Sequence, residues 1–231
     1  MRSKFVKGMY DGLPIGLGYL SVSFGFGIMA VKLGLTAIEA IIISLTNVTS
    51  AGQTAGVAII AAGGAFIEMI FTQLVINLRY SLMAISLTQK LDKSFNTLQR
   101  MICAFGITDE IYAVAISQKE KFDTKYMKGL ILTPVIGWVS GTALGAVAGQ
   151  LLPESISNAL GIMLYGMFIA IIIPPCKKNK NLIFVILIAA LISTILYYFV
   201  PAVSSGFAVI ISAVITALLA AWIFPVKEDE Q

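Results

Sequence analysis

The sequence predicts an all-α polytopic membrane protein with about six to eight membrane segments, at roughly 20 residues per spanning helix. Two observations carry that expectation. Of 231 residues, 58% are hydrophobic and only 12% are charged, and the mean hydropathy is +0.91, where a soluble domain carries about 25% charged residues. The apolar residues also fall in long runs divided by prolines, glycines and lysines. This excludes a soluble enzyme, a disordered chain and a nucleic-acid binder. The net charge of +4, from 16 basic and 12 acidic residues, reads as basic cytoplasmic loops. No hydrophilic segment or low-complexity linker interrupts the pattern, so residues 1–231 are expected to form one transmembrane domain.

The runs, in order, are 13–31, 36–64, 65–87, 101–117, 129–152, 156–173, 182–200 and 207–224. The first follows a basic start, Arg2, Lys4 and Lys7, but holds Gly12, Pro14, Gly16 and Gly18 and ends without a small-residue cleavage site; it reads as a retained helix. Lys32 to Gly34 closes it. Pro153 and Glu154 separate the fifth and sixth runs. Pro174, Pro175 and Lys177, Lys178 and Lys180 separate the sixth and seventh. Pro201 and Gly206 separate the last two. Gly141, Gly145 and Gly149, and Gly12 with Gly16, are spaced for close helix packing.

Lysine and arginine set the orientation. Both termini are expected in the cytoplasm, the second marked by the tail Lys227-Glu228-Asp229-Glu230. The loop with Lys119, Lys121, Lys125 and Lys128 and the loop after run six belong on the same side. The first half allows two topologies. If the Lys90, Lys93 and Arg100 loop is cytoplasmic, 101–117 enters and leaves on one side and 36–64 is a hairpin. Otherwise there are eight full spans and that loop faces outward. Runs 36–64 and 101–117 are expected to be interrupted or re-entrant in any case. The former has a small, polar centre from Thr46 to Gly56, and the latter is short and holds adjacent acids.

Histidine is absent, which removes His-containing zinc sites and Ser-His or Cys-His nucleophile pairs. Two cysteines, Cys103 and Cys176, are too few for a thiolate metal site and read as small apolar residues. No catalytic residue, metal or cofactor is expected. An aspartyl enzyme needs two facing acids, which adjacent Asp109 and Glu110 do not supply.

Ionisable residues within the runs are Glu39, Glu68, Arg79, Asp109 and Glu110. Each charge is costly at the bilayer centre, about 2.5–3.5 kcal/mol on insertion scales. Glu39 lies near an interface, and Glu68 lies one turn into its run. Gln73, Asn77 and Tyr80 recur at helical spacing and form a polar stripe with Arg79 beside it. Arg79 either pairs with Asp109 or Glu110 or reaches the interface. Successive helical positions diverge by about 100°, so the two acids are expected to take different partners.

Several of these segments resemble the AzlC family of bacterial branched-chain amino-acid permeases, the large subunit of AzlCD-type exporters. Asn77-Leu78-Arg79-Tyr80 resembles its Asn-Leu-Arg-His motif, and Phe105 to Glu110 its Thr-Asp-Glu motif. Asp11 to Tyr19 resembles the start of its first helix. Ser50-Ala51-Gly52-Gln53 resembles a small-residue stretch ending in Gln, and Trp138 to Gly149 a glycine-bearing helix. Tyr80 stands where His is common, and Thr54 where an aromatic is often found. The resemblance implies an exporter of branched-chain or similar neutral amino acids in the bacterial cytoplasmic membrane, with a small AzlD-like membrane subunit; the buried acids add the expectation of ion coupling.

A neutral aliphatic amino acid is a zwitterion and needs donors, acceptors and an apolar pocket. A broken helix supplies donors and acceptors from its half-helix ends. The expected substrate-binding groups are therefore Thr49, Ser50, Gly52 and Gln53, with Gln73 and Asn77 opposite. Arg79, Asp109 and Glu110 are expected to form a charge pair or to couple an ion. The alternative reading is a membrane channel or a non-transporting scaffold.

Overall fold

The computed structural model describes residues 3–151, 153, 155–156, 166, 169, 172–177 and 179–225. Arg2, Glu154, Lys178, most of the sixth run and the tail at 227–230 lie outside the described residues. The helices described below are α1 (Lys4–Lys32), α2 (Ala37–Thr46), α3 (Ser50–Ala61), α4 (Phe66–Leu87), α5 (Thr97–Ala104), α6 (Asp109–Ile116), α7 (Thr124–Leu151), α8 (Asn181–Phe199) and α9 (Ser205–Ile223). Five are long and apolar enough to cross a membrane: α1, α4, α7, α8 and α9. The chain is an all-α polytopic membrane protein. It forms two compact units, Met1–Thr54 with Asn77–Leu164 and Ala55–Ile76 with Tyr165–Gln231.

The first unit is organised on α1 and α7. Glycine lets the two backbones touch. A Cβ on Gly12 would lie 2.6 Å from the Leu130 carbonyl oxygen, and one on Gly16 would lie 2.7 Å from that of Thr133. From the other side, a Cβ on Gly137 would lie 2.9 Å from Gly16 Cα. Gly8 meets Tyr126, Gly16 meets Thr133, and Gly145 meets Phe24. The register rises together in both helices, so they run parallel. Pro134 cannot donate to the carbonyl four residues before it, which is that of Leu130, the group facing Gly12. Thr133 Oγ1 adds a bond to the Met9 carbonyl at 3.1 Å. The small-residue spacing noted in the sequence is thus a packing seam.

Both helices begin at one lysine-rich end. Lys4 pairs with Asp123 at 3.4 Å, and Lys7 donates to Gln118 at 3.2 Å. The segment before α5 joins them there. Lys90 Nζ donates to the Gln118 carbonyl at 2.8 Å, Asp92 N–H to the Phe122 carbonyl at 3.2 Å and Phe122 N–H to that of Lys90 at 3.1 Å. Asp92 accepts the Ser94 hydroxyl and N–H, which hold its carboxyl below the usual range.

The two ends of run 101–117 therefore meet on one side. With α5 and α6 at 8 residues each, or about 12 Å, neither crosses a core of about 30 Å. The pair turns back on itself, which fits the re-entrant reading of run 101–117 better than eight full spans. Run 36–64 is likewise divided, into α2 and α3, 10 and 12 residues long. Glu39 closes a capping box with Thr36 at the start of α2, which explains its tolerance near the end of a run.

In the second unit the buried Glu68 accepts Ser204 Oγ at 2.5 Å and Gly206 N–H at 2.9 Å. A carboxylate thus caps the N-terminus of α9, where the free N–H groups and helix dipole favour negative charge. α8 has no buried residue and presents Phe184, Leu187 and Leu191 outward.

A side chain in the seam separates α1 from α7. Gly16→Leu is expected to lower stability by at least about 2 kcal/mol, whereas Gly18→Ala, whose Cβ meets nothing within 4 Å, should leave it unchanged or raised. Thermal unfolding of the purified protein measures both.

Candidate functional site

Two helix interruptions build the site within the first unit. Asn47-Val48-Thr49 parts α2 from α3. Asn47 is extended at φ −146° and ψ 106°, and Val48 is buried. The Thr49 carbonyl accepts Gly52 N–H at 2.6 Å and Gln53 N–H at 3.2 Å, while its hydroxyl donates to Asn47 Oδ1 at 2.7 Å. The Gln53 amide is committed at both atoms. Oε1 accepts Trp138 Nε1–H at 2.8 Å, and Nε2 donates to Ser44 Oγ at 2.9 Å. Ser44 then shares a 2.7 Å bond with Thr142. One buried glutamine thereby fixes α2, the start of α3 and α7 to each other.

Phe105-Gly106-Ile107-Thr108 parts α5 from α6. Gly106 lets the turn pack on α7, since a Cβ there would lie 2.8 Å from Ile131 Cγ1. Gly106 N–H and Ile107 N–H return to the carbonyls of Cys103 and Ala104 at 3.1 and 3.2 Å, which satisfies the end of α5 locally. Thr108 caps α6 by accepting Ile111 N–H at 3.4 Å. Asp109 and Glu110 fill the first turn. The adjacent acids read from the sequence as lying mid-run stand instead at a helix start, where the unpaired N–H groups favour negative charge.

Each acid has its own partner. Asp109 Oδ2 is 2.8 Å from Arg79 NH1, which settles Arg79 as paired rather than reaching for the interface. Their side chains are 29% and 39% exposed, so solvent screens part of the attraction. The guanidinium also lies over the Tyr80 ring, 4.9 Å from its centroid. Glu110 accepts the Tyr19 hydroxyl, which also lies 2.7 Å from Thr108 Oγ1. Tyr19 meets Trp138 edge to face, with centroids 5.2 Å apart at 76°. A buried string therefore runs from Thr142 through Ser44, Gln53, Trp138 and Tyr19 to Glu110, joining both interruptions.

The structure brings Thr49, Ser50, Gly52 and Gln53 together at the first interruption, and Arg79, Asp109 and Glu110 at the second. Asn77 shares the half-buried face of α4 with Tyr80, while Leu74 and Leu78 point outward. Gln73 belongs to the second unit, where its amide lies 3.8 Å from Met69 Sδ and 3.2 Å from a Cβ built on Gly56. Sequence reasoning missed Tyr19, Ser44, Thr142 and Trp138 as site members. Tyr19 and Trp138 lay inside the quoted motifs, but nothing in their spacing showed that they meet. Among the described residues, no group of three His, Cys, Asp or Glu side chains is placed to hold a metal.

Trp138→Phe keeps the ring and strands the Gln53 carbonyl oxygen. Stability should fall by about 1–3 kcal/mol, and adding Gln53→Met should cost less than the sum of the two single changes. Denaturant unfolding of the three variants reads the coupling.

The comparisons with known proteins agree on one family. The family described as AzlC protein matches residues 14–152. The inner membrane protein YgaZ of Escherichia coli is 28% identical over 226 residues, 94% of this chain and 91% of the relative. An uncharacterised membrane protein of Archaeoglobus fulgidus is 33% identical over 175 residues, 75% and 76% of the two chains. The branched-chain amino acid transport protein AzlC of Bacillus subtilis is 29% identical over 175 residues, 73% and 66%. No solved structure matches the chain. From the match over 14–152 and these relatives, the chain belongs to the AzlC family of membrane proteins.

Proposed function

We propose that this chain is a secondary carrier exporting branched-chain or similar neutral amino acids across the bacterial cytoplasmic membrane, coupled to an ion and working with a small AzlD-like membrane subunit. Family membership and the name of the Bacillus relative support the transport class. The observation that carries the mechanism is the string joining two interrupted helices through Tyr19 and Trp138. Such interruptions are where carriers place their sites.

The N-terminus of α3 offers the backbone N–H groups of Ser50 and Ala51 to the substrate carboxylate, and the Thr49 carbonyl, by accepting Gly52 N–H, holds that turn in place. Asn77 supplies a further polar contact. Gln53 is a positioning residue, because both its polar atoms are engaged within the protein. The ammonium is held by Asp109 or Glu110. Asp109 exchanges between Arg79 and the cargo or coupling ion, so that the 2.8 Å pair marks the resting arrangement. The lysine-rich end faces the cytoplasm by the positive-inside rule, as do both termini.

Efflux of preloaded leucine, isoleucine, valine and methionine tests the reading in cells that express the chain with and without the small subunit. Fast efflux is expected only with both. Asp109→Asn should slow it at least about tenfold at an unchanged membrane level, equivalent to about 1.4 kcal/mol in the barrier. Wild-type efflux by that variant removes Asp109 from the mechanism. No efflux of any of the four, with both proteins in the membrane, removes the substrate class.

A further inference from the structure

At the lysine-rich end, the first turn of α1, the 117–123 loop and the first turn of α7 enclose a cavity of about 510 Å³. Its charged lining is Lys4, Lys7, Lys119, Lys121, Glu120 and Asp123. Four cations against two carboxylates leave it at +2. Lys4 is neutralised by Asp123 at 3.4 Å. Lys7 is held by Gln118 at 3.2 Å and lies 5.3 Å from the Tyr126 ring centroid. Lys119 and Lys121 are exposed, and no carboxylate among the described residues lies within ion-pair distance of either.

The walls are fixed rather than loose. Asp123 also accepts Tyr126 N–H at 2.9 Å, Tyr126 donates its hydroxyl to Asp11 at 2.8 Å, and Phe122 is buried and bonded to the 90–92 segment. Depth selects the ligand. Lys4 and Thr124 are the first residues of two helices long and apolar enough to cross a membrane, so the opening stands at the shared end of both, where a helix that spans the core emerges among the lipid headgroups. Amines that lack an acidic partner at that depth recognise phosphate.

We propose that this cavity binds the phosphate of an anionic phospholipid headgroup, with Lys119 and Lys121 as its principal donors. The site is independent of what the chain carries. A zwitterionic headgroup brings its own cation into a positive cavity and binds more weakly. An anionic lipid bound there bridges α1, α7 and the end of the re-entrant pair, so it stabilises the folded protein.

The test is thermal unfolding of the detergent-purified full chain, titrated with dihexanoyl phosphatidylglycerol, dihexanoyl phosphatidylcholine or glycerol 3-phosphate. A saturable rise in Tm is expected with phosphatidylglycerol alone. Lys119→Gln with Lys121→Gln should raise the half-saturating concentration roughly tenfold or more. Lys177→Gln with Lys180→Gln, which removes equal charge elsewhere, should change it less than about twofold. Equal stabilisation by phosphatidylcholine overturns the proposal, as does an equal effect of both double variants, which means diffuse attraction. A rise with glycerol 3-phosphate matching that of the lipid overturns it in favour of a soluble anion.

Discussion

The backbone contact between α1 and α7 is the constraint on which the first unit depends. Apolar side chains gain little by leaving lipid for each other, so helices in a membrane associate through close packing and hydrogen bonds. Gly8, Gly12 and Gly16 on one side and Gly129, Gly137, Gly141 and Gly145 on the other leave room for direct approach. That approach brings Tyr19 of α1 against Trp138 of α7. A larger residue in the seam would part these two rings and with them the connection between the interruptions.

The re-entrant α5–α6 pair solves an electrostatic problem. Two adjacent carboxylates inside an apolar stretch would be costly on a continuous helix. Breaking the helix at Phe105 to Thr108 places them where helix N–H groups face negative charge, and gives each a separate partner, Arg79 and Tyr19. The lysine-rich loops hold both ends of this pair on one side through Lys90, Asp92 and Phe122. The polar centre of the unit is thus supported from its surface.

Much of this was legible in the sequence, because lipid imposes simple rules on composition. The runs at 65–87, 182–200 and 207–224 match α4, α8 and α9 to within about two residues. The first run began nine residues too late because Lys4 and Lys7 lower the local hydropathy, although Ser3 caps a helix there. The interruptions were readable from Thr46 to Gly56 and from the short acidic run. What no charge count resolved was the topology of the first half. It depends on contacts such as Lys90 with Gln118 and Asp92 with Phe122, which join residues far apart in the chain. The partnership of Gln53 with Trp138 was hidden for the same reason.

The central claim is that the two joined interruptions form a carrier site that alternates between the two faces of the membrane. Counterflow in vesicles tests it most directly. Vesicles holding the chain together with the proposed AzlD-like subunit are loaded with excess unlabelled leucine and diluted into a trace of labelled leucine. A carrier predicts transient accumulation of label above its equilibrium level, followed by decay as the gradient dissipates. Label that rises only to equilibrium, without overshoot, contradicts the account and points to a channel.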